Sequence, residues 1–137
     1  MKKILFAITG IIVILASGIL IYFGVTEAKV SVIDDSLKIA GVYGVTVPLS
    51  EITGVTMIEY SMEEIGIGDS KGSFRGMNGV IKGRFIVPGL GEALLFVSSP
   101  TSPTLWIERA DEKDIFISFA DGIETEHLYR EIKASLN

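Results

Sequence analysis

The sequence predicts a mainly β protein: about seven antiparallel strands closing into a small barrel or sandwich, then one C-terminal α-helix, with a transmembrane helix ahead of them. Three observations predict it. Residues 4–25 (ILFAITGIIVILASGILIYFGV) carry no charge. From Lys29 onward, short apolar runs alternate with turn residues, the pattern of short antiparallel strands. From Asp121 the period becomes helical, with Leu128, Tyr129, Ile132 and Leu136 on one face. Residues 1–28 are therefore expected to form a membrane anchor and residues 29–137 a single domain.

The uncharged stretch is 22 residues long. As a helix it would reach about 33 Å, enough for a hydrocarbon core of about 30 Å. Lys2 and Lys3 resemble the basic start of a signal peptide, but the apolar core of a signal peptide runs to about 7–15 residues. The length favours an uncleaved, single-pass anchor. The two lysines before the span favour an extracytoplasmic domain. Gly10, Ser17 and Gly24 recur every seven residues, a spacing of small side chains that would let two such helices approach closely.

In the domain, Lys29–Ile33 reads as the first strand, with Asp34-Asp35-Ser36 as a turn. Leu37–Val42 follows, is interrupted at Tyr43-Gly44, and resumes at Val45–Val47. Pro48 cannot donate to a ladder and marks a strand end. Ile52–Tyr60 is β-branched, with Gly54 as a candidate bulge. Residues 61–79 hold five glycines and no sustained alternation, and read as a long mobile loop. Val80–Val87 alternates, placing Lys82, Arg84 and Ile86 on one face. Ala93–Val97 is continuously apolar and should be buried. Thr104–Arg109 and Asp114–Phe119 should pair as a hairpin. Asp121 and Glu124 match a capping box at the start of the terminal helix. Leu94, Phe96, Leu105, Ile107, Leu128 and Ile132 are the expected core.

Composition narrows the function classes. There are 12 Lys+Arg against 17 Asp+Glu. Setting aside Lys2, Lys3 and Glu27 leaves the domain with 10 basic and 16 acidic residues, a balance of −6. Nucleic acid is not an expected partner, because binding it requires cations to displace phosphate counterions. The chain has no cysteine, which excludes disulfides, thiolate metal sites and cysteine nucleophiles.

Several segments together resemble a family of small bacterial pleckstrin-homology-like domains. They are Leu37-Lys38-Ile39 leading to Tyr43-Gly44, then Val47-Pro48-Leu49-Ser50-Glu51-Ile52, Arg75-Gly76-Met77-Asn78-Gly79 and Lys82-Gly83-Arg84-Phe85. Leu105-Trp106-Ile107 and the Glu124–Ile132 run with Leu128-Tyr129 complete the likeness, which covers nearly all of residues 29–137. The resemblance implies a seven-strand order closed by a helix, frequent attachment to membrane helices, and a binding or scaffolding role without established catalytic residues. Eukaryotic relatives of the fold hold inositol phosphates with basic residues on the first strands. Here Lys29 and Lys38 stand beside Asp34 and Asp35, which does not support that ligand.

Lys71, Arg75, Lys82 and Arg84 are the candidate ligand- or partner-binding residues: four of the domain's ten cations within 14 residues. Convergent cations could hold an anionic group. Alternatively, Lys82 and Arg84 guard an edge strand against pairing. His127, the single histidine, has no nucleophile-elbow serine to serve and reads as a helix-surface residue. Glu63-Glu64 and Asp111-Glu112-Asp114 fall in expected turns, and no EF-hand spacing is present. Lys71-Gly72-Ser73 has the letters of a phosphate loop, but a strand rather than a helix is expected after it. No catalytic residue, metal site or cofactor is expected. The function expected is a non-catalytic, membrane-anchored interaction or scaffolding module with a protein partner or self-association. The alternatives are a lipid or small anionic ligand bound by the four cations, or a small hydrolase.

Overall fold

The computed structural model describes residues 2–25, 28–41, 43–68, 70–75, 80–99 and 102–136, with side chains left undescribed at 18–25 and 70–75. The first element is α1 (Lys2–Val25). Among the described residues nine strands follow: β1 (Val30–Ile33), β2 (Ser36–Ile39), β3 (Val45–Pro48), β4 (Ile52–Ile58), β5 (Ser70–Arg75), β6 (Ile81–Val87), β7 (Gly91–Val97), β8 (Thr104–Arg109) and β9 (Ile115–Ser118). A short helix, α2 (Met62–Ile65), precedes β5, and α3 (Gly122–Leu136) closes the chain.

The expected membrane anchor is corrected here. Among the described residues, no helix is long and apolar enough to cross a membrane. That finding overturns the transmembrane, single-pass and extracytoplasmic expectations. Every described side chain of α1 is exposed, Phe6 and Ile14 among them.

The second correction concerns the strands. Among the described residues nine strands divide between two sheets and one pair runs parallel, where about seven antiparallel strands in a barrel or sandwich were expected. The first has three strands in the order β1-β2-β3, and the second has six in the order β4-β8-β9-β7-β6-β5. β7 and β9 run parallel, with Leu94 opposite Ile115 and Val97 opposite Ser118. The β8–β9 hairpin forms as expected, Trp106 facing Phe116 with rings stacked at 5.9 Å. Its second strand then inserts between β8 and β7. All four β9 residues are buried, as suits a central strand covered on both faces.

The six-stranded sheet buries apolar side chains on both faces. One face presents Val55, Phe96, Leu105, Ile107, Ile115 and Ile117 to Leu37, Ile39 and Val47 of the small sheet and to Leu128 and Ile132 of α3. Of the expected core residues, Leu94 is half-buried and the other five are buried. The opposite face gathers Ile81, Phe85, Val87, Ala93, Leu95, Val97 and Phe116 under Met62 of α2.

That second cover falls where a long loop was expected. Ser61 accepts a hydrogen bond from the Glu64 amide and Glu64 accepts one from the Ser61 amide, a capping box that starts α2. Gly66, at φ 96°, ends it. β5 then pairs with β6 through a register shift between Ser70 and Ser73. Residues 76–79 of the expected loop lie outside the described residues.

The turn between β1 and β2 forms where Asp34-Asp35 predicts it. Both aspartates adopt left-handed backbone, φ 52° and 60°, as a two-residue primed hairpin turn requires. Glycine adopts that conformation without a Cβ penalty. Asp35→Gly should therefore raise stability by about 0.5–1 kcal/mol. The check is the urea midpoint, and an unchanged or lower midpoint would count against the strain.

Thr104 is fully buried, and its hydroxyl has no hydrogen-bond partner among the described residues. Burying such a group costs about 1–3 kcal/mol. Thr104→Val keeps the branch and removes the hydroxyl, so it should stabilise the chain by about 1 kcal/mol. Destabilisation on calorimetry would instead reveal a partner.

Candidate functional site

Of the four candidate cations, Lys82 and Arg84 have described side chains, and these two differ in exposure. Lys82 is buried at 6% exposure and is engaged within the fold. It lies in register with Phe96, because β6 is an interior strand flanked by β5 and β7 rather than a sheet edge. Arg84 is exposed and approaches Glu92, Nε to Oε1 at 4.0 Å. Lys71 and Arg75 lie on β5, and their side chains fall outside the described residues. The register sets Arg75 opposite Ile81, not opposite Lys82 or Arg84.

Two of the clustered carboxylates, Glu64 and Asp114, have structural partners. Glu64 caps α2. Asp114 accepts from the Trp106 indole at 2.9 Å and from the Arg109 amide at 3.4 Å, closing the β8–β9 turn. Among the described residues, no group of acidic or histidine side chains is arranged to hold a metal ion.

A cleft of about 460 Å³ lies instead between the start of β1 and α3. Its lining has two parts. Ala28, Phe119 and Leu128 are buried and Val30 half-buried, which makes an apolar floor. Lys29, Glu124, His127 and Glu131 are exposed and form the rim.

Each side of this cleft has a local cause. The Lys29 carbonyl accepts from the Ala40 amide at 2.9 Å, which holds the start of β1 against the small sheet. On the other side, Asp121 receives the Ile123 amide on its Oδ1 at 2.9 Å, so α3 begins where the capping pattern places it. The buried Thr125 hydroxyl accepts from the Phe119 amide at 3.0 Å and fixes α3 to the end of β9. Glu124, His127, Leu128 and Glu131 then follow at i, i+3, i+4 and i+7, one stripe of the helix.

His127 is 80% exposed, and its Nδ1 stands 4.0 Å from Glu131 Oε2. This agrees with its reading as a surface histidine and adds that it borders a cleft. The described lining contains no hydroxyl or thiol that it could deprotonate. The helical stripe was visible in the sequence as spacing. The missing signal was Ala28–Val30, about a hundred positions away, which only the fold brings opposite. Compared with protein-family models, curated proteins and solved structures, the chain matches none.

Proposed function

We propose that this chain is a non-catalytic binding module whose working surface is the cleft between β1 and α3. The observation that carries the proposal is the cleft's make-up, an apolar floor under a charged and exposed rim. Its volume lies in the usual range for ligand sites, about 300–1,000 Å³. Apolar floors supply affinity, and a few polar rim groups supply orientation. A hydrolytic role for His127 would need a nucleophile or a bound water set between it and an orienting group. Glu131 at 4.0 Å, on an exposed helix face, is a loose partner for that task. The likeness of local segments to bacterial pleckstrin-homology-like domains also favours binding over catalysis. No observation among the described side chains favours an anionic ligand at Lys82 and Arg84.

The test places a photo-crosslinking amino acid at position 127 and, as a control, at position 112 in the β8–β9 turn, which is not part of the cleft lining. A discrete product from 127 and none from 112 is the expected result. Equal labelling from both would count against the cleft. Turnover of an ester or phosphoester that disappears in His127→Ala would replace binding with catalysis.

A further inference from the structure

We infer that the cleft takes a polypeptide segment carrying an aliphatic or aromatic side chain beside an arginine or lysine. This rests on the reading of the cleft as a binding surface and names what fills it. The apolar half follows from the floor, where Phe119 and Leu128 offer contact to a side chain that leaves water.

The cationic half follows from how the charges of α3 are used. Glu126 is already paired with Arg130 one turn on. Lys133 lies over the Tyr129 ring, 5.9 Å from its centroid. Among the described residues the Glu131 carboxylate is paired with His127, at 4.0 Å, and that histidine is a cation only when protonated. The Glu131 carboxylate, with the side chain 43% exposed, therefore meets the cleft with no permanent cation of its own helix beside it. Glu124, which is engaged within the fold, also stands on the rim, as does Lys29. The domain's balance of −6 acts in the same direction at longer range. An incoming guanidinium could bond the Glu131 carboxylate through two parallel N–H groups, which His127 at its present distance does not do. An acidic segment would meet like charge at the same place.

His127 supplies the readout, since a single histidine gives one imidazole Cε1–H resonance. The full chain is titrated with the blocked peptide Ac-Leu-Arg-Phe-Arg-NH2 and with its counterpart in which both arginines are glutamates. The expected result is a saturable shift with the arginine peptide alone. It should weaken about two- to fivefold in Glu131→Gln, the size of one exposed or partly exposed charge contact. It should also weaken as salt rises, because exposed charges are screened over about 8 Å at physiological ionic strength. Glu126→Gln, whose carboxylate is already paired, should bind like the parent. Equal binding of both peptides would overturn the cationic assignment while leaving the cleft a binding surface. No shift with either peptide would overturn it as well, and crosslinking from position 127 then decides separately whether the cleft binds at all.

Discussion

Replacing Ile132 with alanine should lower the stability of the chain by about 2–5 kcal/mol. Ile132 is fully buried in the cluster shared by α3 and the two sheets. Truncation removes three carbons from that contact and leaves a void that packed strands close only in part. The position is informative because Ile132 is, with Thr125 and Leu128, one of the buried residues through which α3 is held. Its other face carries Glu126, Arg130 and Lys133 in solvent, and exposed ion pairs contribute at most about 1 kcal/mol. Urea unfolding with a constant slope and a lower midpoint is the expected record. Ile132→Val should cost only about 0.5–1.5 kcal/mol, and Glu126→Ala far less than Ile132→Ala. If Ile132→Ala unfolds like the parent, α3 is a free-standing element and the cleft beside it is not preformed.

Gly44→Ala should destabilise by about 1–3 kcal/mol or more, for a different reason. Gly44 follows a tight turn in which its amide donates to the Gly41 carbonyl at 3.0 Å. A Cβ at this position overlaps the Ile39 carbonyl oxygen and comes to 3.0 Å from the Gly41 oxygen. Both obstacles are backbone, so no side chain can rotate away. Relief would have to separate β2 from β3, and with them Ile39 and Val47 from the core. Gly10→Ala is the matching control: a Cβ there meets nothing within 4 Å. In a helix that exchange should be neutral or slightly favourable. A Gly44→Ala protein with parental thermal stability would show that the β2–β3 connection is looser than described.

Local pattern located most of the elements. Thr104–Arg109 has the same bounds in both readings, and the bulge expected at Gly54 appears as a register shift between Ile52 and Gly54. Period-2 alternation and turn residues are properties of neighbouring positions, so they can be read without knowing the fold. Two failures have local causes too. The capping box at Ser61 and Glu64 lies within a glycine-rich stretch, and the abundance of glycine masked a four-residue helix. The face of Lys82 and Arg84 was read as solvent because β6 was assigned to an edge. With β5 paired outside it, β6 is interior to the sheet, and on that face Lys82 is buried while Arg84 stays exposed.

The amino-acid order by itself determined where most strands and the C-terminal helix lie, that Asp34-Asp35 turns the chain, and that the β8–β9 pair is a hairpin. These follow from steric limits on single residues and from side-chain periodicity, which act over a few positions. The tertiary structure alone decided that β9 inserts parallel to β7, that the strands divide between two sheets, and that Ala28–Val30 faces the 124–131 stripe of α3. An apolar run buries equally well beside a parallel or an antiparallel neighbour, so alternation does not encode strand order. Order is selected by which arrangement covers both faces of the large sheet at once. The cleft is a product of that selection, because its two walls meet only after the strands between them have paired.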